Sequence, residues 1–126
     1  MIEKSKKYLI DSNIIIYHLN GEIIATDFLK KNIKKSTISR LTFMEVLSFD
    51  FEEDDKKNVI EFLENFYILD TNKNISLQAV DNRKFKKIKL IDNIIASTAQ
   101  INNLTLVTRN EKDFNNLEIK ILNIFG

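Results

Sequence analysis

Asp11, Glu45, Asp92 and Asp113 each stand at the end of a short apolar run or in the helical segment that follows it. Acidic side chains ordinarily scatter over solvated faces. Acids at the strand-to-helix junctions of an open parallel sheet meet instead at one edge, outside the carboxyl ends of the strands. Carboxylates brought together repel one another, and a hard divalent cation such as Mg²⁺ or Mn²⁺ relieves the repulsion. The four acids therefore suggest a metal site.

Each acid alone has an ordinary explanation. Asp11 and Asp92 precede helices, where aspartate commonly caps. Asp113 reads equally as a first-turn acid before Phe114. Glu45 is harder to dismiss, because it lies among Phe43, Met44, Val46, Leu47 and Phe49 and has few polar neighbours. Their joint order and placement, rather than any one of them, points to a functional site.

The rest of the composition closes other routes. Cysteine is absent, which removes disulfides, thiolate nucleophiles and Cys-based zinc sites. The lone histidine, His18, cannot supply the acid and base of a metal-free two-histidine ribonuclease, and reads as a polar residue of its helix. Gly21 and Gly126 are the two glycines, so no P-loop or dinucleotide-binding glycine loop exists. Phosphate chemistry would have to rest on metal and carboxylates.

The elements that must position these acids follow from hydrophobic patterning. Tyr8–Ile10 reads as a buried strand ending at Asp11, and Asp11 or Ser12 caps a helix through Ile14, Ile15, Tyr17 and Leu19 that stops at Asn20-Gly21. Ile23, Ile24, Phe28 and Leu29 repeat at helical spacing and are assigned to the core, with Lys30, Lys31, Lys34 and Lys35 near the close. A strand over residues 37–39 leads into a helix over about 42–49 that carries Glu45.

After the acidic turn at 50–55, Val59, Ile60, Leu63 and Phe66 mark another helix, and residues 67–69 a strand. The spacing predicts a helix over 75–85 with Leu77 and Val80 inward. It also predicts a nearly all-apolar, central helix after Asp92, then strands at 104–107 and 119–122. Strands alternating with helices imply an α/β fold: one domain over 1–126, its mostly parallel sheet of four to five strands flanked by helices.

With 126 residues, 44% hydrophobic and 29% charged, the chain is expected to fold around a single core. No apolar run reaches the roughly 18 residues of a membrane helix, and Met1 to Lys7 lacks an apolar leader, so a cytoplasmic location is expected. The formal net charge is +1, so bulk charge would not hold the molecule on nucleic acid. The basic run Arg83, Lys84, Lys86, Lys87 and Lys89 nevertheless leads directly into Asp92. A solvated helix face is the plain reading of such a run.

The segment from Ile88 to Gln100, IKLIDNIIASTAQ, and that from Leu104 to Phe114, LTLVTRNEKDF, resemble the C-terminal half of PIN-domain ribonucleases, particularly VapC-type toxins of prokaryotic toxin–antitoxin pairs. Tyr8 to Asn13, YLIDSN, is similar to that family's opening strand and its aspartate. Ile38 to Leu47, ISRLTFMEVL, is similar to the strand and helix that hold its glutamate. The motifs span nearly the whole chain in the family's order.

The resemblance implies a Mg²⁺- or Mn²⁺-dependent endoribonuclease of PIN fold. It implies that Asp11, Glu45 and Asp92 hold the metal, with Ser12, Asn13 and Thr108 as the small polar residues around it. The family's fourth acid falls in some relatives where this chain has Asn110 and in others where it has Asp113. Asp113 is preferred, with Asn110 as a hydrogen-bonding neighbour. The implied products carry a 3′-hydroxyl and a 5′-phosphate. The implied partners are single-stranded RNA, a cognate antitoxin covering the site, and a second copy in a homodimer.

Arg40, Arg109 and the run from Arg83 to Lys89 are the candidate phosphate contacts, which would position RNA without reading its sequence. Tyr17 is either a stacking platform for a base or a partly buried tyrosine of the first helix. Three rivals remain open. A receiver-like signalling domain would need an acidic pair where Ser12 sits beside Asp11. The others are a solitary PIN nuclease and a PIN-like binding module that no longer turns over, the latter because Asn110 departs from one version of the fourth-acid pattern.

Overall fold

Five strands form one parallel sheet in the computed structural model, which describes residues 5–126. They are β1 (Tyr8–Ile10), β2 (Ser36–Ser39), β3 (Tyr67–Leu69), β4 (Thr105–Val107) and β5 (Ile121–Leu122), in the order β3-β2-β1-β4-β5. Residues 1–4, part of the segment read above as lacking an apolar leader, lie outside the described residues. The strands are linked by α1 (Ser12–Leu19), α2 (Ile23–Asn32), α3 (Arg40–Leu47), α4 (Glu53–Leu63), α5 (Lys73–Phe85) and α6 (Leu90–Ile101). No described helix is long and apolar enough to cross a membrane.

A parallel sheet covered on both faces buries its central strands, mostly with apolar residues but in β2 with Ser36, Thr37 and Ser39 as well, and the pleat divides the side chains between two cores. Leu9 of β1 and Leu106 of β4 are register partners. Both pack with Ile95, Ala96 and Ala99 of α6 and with Phe114. One residue on, Ile10 and Val107 turn to the opposite face, against Ile14, Ile15, Leu29, Val46 and Leu63. Leu9, Ile10, Leu106 and Val107 are fully buried, each worth about 1.5–3 kcal/mol relative to exposure.

The strand order makes the site. The chain runs outward from β1 through β2 to β3, then returns to the other side of β1 to place β4 and β5. The reversal puts a crevice at the carboxyl ends of β1 and β4, where open α/β sheets place ligands. Asp11 follows β1 directly and Thr108 follows β4 directly.

Several local expectations are corrected. On α5 the buried residues are Ile75, Ala79 and Asn82, whereas Leu77 and Val80 are exposed. The helix packs on α6 rather than on the sheet, and small Ala79 lets the backbones approach closely enough for Asn93 Nδ2 to donate to the Ala79 carbonyl at 2.8 Å. On α2 the inward residues are Ala25 and Leu29, with Phe28 half-buried against Tyr8 at 5.2 Å between ring centroids. Ile23 and Ile24 lie outside, because at about 3.6 residues per turn they fall well round the helix from the buried Ala25 and Leu29. Gly21 takes a left-handed φ of +84° in the turn before α2, a conformation that suits glycine.

The helix bearing Glu45 begins at Arg40, because the Ser39 hydroxyl accepts the Leu41 N–H at 3.1 Å and caps it. Phe66 is buried just beyond the end of α4 rather than within it. The helix bearing Asp92 is not apolar all round: Asn93, Ser97 and Thr98 are buried, while Leu90 and Ile91 are exposed.

Candidate active site

Asp11 sits where β1 meets α1, and both carboxylate oxygens are used. Oδ1 accepts the Ser12 N–H at 2.8 Å, which caps α1, and Oδ2 accepts the Thr108 hydroxyl at 2.8 Å. The expected cap is therefore real, but it is only half of the arrangement. Asn13 Nδ2 donates to Thr108 Oγ1 at 3.1 Å, with a longer contact to Asp11 Oδ2 at 3.4 Å. Its Oδ1 accepts the Arg109 N–H at 3.3 Å, and the Asn110 N–H donates to Thr108 Oγ1 at 3.1 Å. These bonds tie the carboxyl end of β1 to that of β4 across the crevice.

Glu45 is reached from β2 through α3, and Asp92 occupies the first turn of α6 rather than its cap, Lys89. Both are half-buried and line one cleft with Asp11, about 560 Å³ in volume. Ser12, Asn13 and Asn110 supply its polar wall, and Ile16, Tyr17 and Phe49 its apolar wall. Asp113 is exposed in a short turn, Glu111–Phe114, outside that wall, yet its charge acts on Asp92. Thr108 is fully buried beneath the site.

The acids are held at raised pKa. Burial pushes the Asp11 carboxyl up to about 6, against the Thr108 and Ser12 hydrogen bonds and with added repulsion from Glu45 and Asp92. Burial also raises Glu45, eased by a hydrogen bond from the Ser12 side chain and reinforced by Asp92. Asp92 is raised by burial and then by Asp113, with Lys89 and Lys86 acting in the opposite sense. Among the described residues, no lysine or arginine forms an ion pair with any of the three.

The donor set is thus all hard oxygen, mutually repelling and not neutralised by the chain, which suits a divalent cation such as Mg²⁺ or Mn²⁺. Among the described residues, no three His, Cys, Asp or Glu side chains stand close enough to close around an ion as they are placed. Mg²⁺ ordinarily takes one or two protein carboxylates and keeps several waters, so a closed protein cage is not required of this donor set. A second cleft of about 540 Å³ opens at the other end of the strands beside Leu104 and Ile119, but it holds a single carboxylate, Glu118, and cannot do this chemistry.

The candidate cations fare differently. Arg40 Nε pairs with Asp70 at 3.2 Å, and its guanidinium lies 5.0 Å over the Phe43 ring. Lys84 pairs with Asp81 at 3.4 Å. Lys86 donates to the carbonyls of Lys112 and Asn115 and to Asn115 Oδ1, at 2.9–3.0 Å. It thereby pins the turn that carries Asp113. Lys89 stands at the start of α6 near Asp92. Arg83 and Lys87 project into solvent. Arg109 lies over the rings of Tyr17 and Phe125.

Sequence reasoning missed Ile16 and Phe49 as cleft residues. The signal was partial: Ile16 lies four positions after Ser12 and so on the same face of α1, whereas Phe49 falls in the bend just beyond the end of α3. His18 is a helix residue as expected, its Nδ1 2.8 Å from the Thr26 hydroxyl and its ring against Phe62.

Comparison with known proteins agrees with this geometry. The family model described as PIN domain matches residues 8–120. A toxin–antitoxin complex from Klebsiella pneumoniae contains a chain 31% identical, with a TM-score of 0.84, covering 94% of this chain and 98% of that one. DNA-bound VapBC from Salmonella typhimurium aligns at 22% identity and a TM-score of 0.82 over 94% of this chain and 98% of that one. VapBC-1 from nontypeable Haemophilus influenzae aligns at 23% and 0.78 over the same shares, and at these identities the likeness is one of fold. No curated protein matches the chain. With a family model spanning nearly the whole sheet and its acids at the carboxyl edge of β1 and β4, the chain belongs to the PIN domain family.

Proposed function

We propose that this protein is a metal-dependent endoribonuclease and the toxin of a toxin–antitoxin pair. The observation that carries the reading is the convergence of Asp11, Glu45 and Asp92, from β1, α3 and α6, on one cleft where each is raised by burial and by at least one other acid. PIN-family membership and the 31% identical chain of a toxin–antitoxin complex support it.

Mg²⁺ or Mn²⁺ bound among these acids would supply charge compensation and Lewis acidity toward a phosphodiester. Asp11, held on both oxygens, is the fixed point of the set. Glu45 and Asp92 are freer and face the same space. Either one, raised toward the working pH, orients a water for in-line attack on phosphorus and accepts its proton. The P–O3′ bond breaks and leaves a 3′-hydroxyl and a 5′-phosphate. The small polar groups of Ser12, Asn13 and Asn110 hold the phosphate oxygens, and Asp113 acts on Asp92 from outside. The exposed Phe49 ring of the cleft suits an unstacked single strand. A cognate antitoxin laid over Phe49, which is exposed at the rim, would silence the site, and a second copy of the chain completes a homodimer.

The test is cleavage of single-stranded and loop-containing RNA by purified protein with Mg²⁺ or Mn²⁺. Activity is expected to vanish with chelator and to fall by about a thousandfold or more in Asp11→Asn and Asp92→Asn, both still folded. Equal cleavage by those variants would reveal a contaminating nuclease and sink the assignment. A second reading, a PIN-fold module that binds RNA or protein without turnover, draws on Asn110 lining the cleft while Asp113 stays outside it. Tight RNA binding with no metal-dependent cleavage would favour it.

A further inference from the structure

Of the seven basic residues that lead toward the cleft, one is both held in place and free to bind. Arg40 and Lys84 are paired with Asp70 and Asp81, and Lys86 donates to the 112–115 turn. Arg83, Lys87 and Lys89 are exposed, with no ring or hydrogen bond fixing their cationic ends among the described residues. Arg109 differs. Its guanidinium carbon lies 4.4 Å from the Phe125 ring centroid and 5.1 Å from that of Tyr17, and the two rings meet edge to face at 5.1 Å. Among the described residues no acceptor takes a hydrogen bond from the guanidinium, although its side chain is exposed.

The backbone is held as firmly as the head. The Arg109 N–H donates to Asn13 Oδ1, and Asn13 in turn binds Thr108 beneath Asp11. Phe125 is fixed through its own N–H to Asn123 Oδ1 at 3.0 Å, and Asn123 Nδ2 donates to Glu111 at 3.1 Å. Tyr17 lines the carboxylate cleft, as does Asn110, the next residue after Arg109. The guanidinium therefore lies beside the cleft, over its lining residue Tyr17, while the Arg109 backbone N–H is joined to Asp11 through Asn13.

Contact with ring faces holds a guanidinium without supplying an oxygen acceptor, so its N–H donors keep no hydrogen-bond acceptor among the described residues. A planar fork with no internal acceptor matches two oxygens of a phosphate, and a cation already ordered by aromatic contacts loses less freedom when it binds. A base would compete for the faces that Tyr17 and Phe125 occupy, whereas a phosphate does not.

We propose that Arg109 is the anchor for a backbone phosphate of single-stranded RNA next to the cleaved bond, and that Tyr17 and Phe125 are the positioning residues that hold its guanidinium. This rests on RNA as the substrate of the site. It assigns to one arginine what the charge pattern spreads over seven residues.

The experiment is fluorescence-anisotropy binding of a short labelled single-stranded RNA of mixed sequence to the full-length Asp11→Asn protein with Mg²⁺, across a salt series. Adding Arg109→Ala is expected to weaken binding about tenfold and to lower the salt slope by roughly the 0.7 of one single-strand phosphate contact. Arg109→Lys restores the charge and the slope but leaves most of the affinity loss, because it lacks the fork. Phe125→Leu keeps the slope and weakens binding about threefold, from a looser guanidinium. Unchanged affinity and slope in Arg109→Ala overturn the proposal, as does full recovery with Lys together with no effect of Phe125→Leu. An Arg109→Ala defect confined to antitoxin binding overturns it in favour of a protein carboxylate. If the wild type fails to cleave RNA while Arg109→Ala still weakens binding, the nuclease reading falls and the anchor stands.

Discussion

Asp11 shows how a site residue opposes the stability of its own fold. Its carboxyl is raised from 3.8 to about 6 in the folded chain, chiefly by burial. Because the folded pKa lies above the unfolded one, the folded state holds the extra proton between those values. The stability this group contributes is complete below about pH 4 and is lost as pH rises through about 6. In metal-free protein, Asp11→Asn should therefore raise unfolding free energy by on the order of 1–3 kcal/mol at neutral pH and by little at pH near 4. Urea denaturation at the two pH values checks this, and a variant destabilised equally at both would show that the hydrogen bonds from Thr108 and Ser12 outweigh the buried charge. Stabilisation with loss of cleavage is the usual mark of a residue kept for function.

At the scale of elements, Asp92 is placed by a polar seam rather than by apolar packing. Asn82 of α5, almost fully buried, shares the two hydrogens of its Nδ2 among Asn93 Oδ1, Ser97 Oγ and Gln100 Oε1 of α6 at 2.8–3.1 Å, and its own Oδ1 accepts from Gln78. The seam fixes the rotation of α6 one residue from Asp92. Asn82→Leu removes the shared amide and leaves Gln100 Oε1 and Gln78 Nε2 without it, while Ser97 Oγ still donates to Asn93 Oδ1, so the fold should lose about 1–3 kcal/mol. Denaturant midpoints measure it, and an unchanged midpoint would mean that water replaces the amide. Lys73→Ala, exposed at the start of the same helix, serves as the reference, with an effect expected within about 0.5 kcal/mol. The same seam explains why Leu77 and Val80 face outward: the helix turns a polar residue, Asn82, toward its partner, and hydrophobic spacing cannot register that.

For the whole molecule, the charge that matters is local. A net charge of +1 conceals a cleft of three acids with Asp113 beside it and a margin of cations, of which Arg40, Lys84 and Lys86 are engaged with other parts of the chain. Binding of Mg²⁺ or Mn²⁺ to the folded chain alone would raise its melting temperature by mass action, and the carboxyls must be ionised to bind it. Either ion should therefore raise the melting temperature by a few degrees at neutral pH, with the shift fading as pH falls through about 6, where Asp11 takes up its proton. Differential scanning fluorimetry with and without the ion at several pH values tests this. A shift of equal size at pH near 4, or one retained in a variant carrying both Asp11→Asn and Asp92→Asn, would place the ion elsewhere.

By itself the sequence determined the alternation of strands and helices, the two-sided burial of the strands and the family. Apolar runs such as Tyr8–Ile10 and Thr105–Val107 are legible wherever both faces of a strand are covered. It also singled out Asp11, Glu45 and Asp92, because acids at strand ends have few other reasons to recur in that order. Only the tertiary structure decided that the return of the chain to the far side of β1 sets Thr108 against Asp11, that Lys86 pins a turn while Arg109 stays open, and that Ile23 and Ile24 face outward. The physical reason is range. Periodicity and capping act within a helical turn or two, whereas which cation meets which partner, and how a helix is rotated on its neighbour, depend on residues brought together across 95 positions, as Asn13 and Thr108 are.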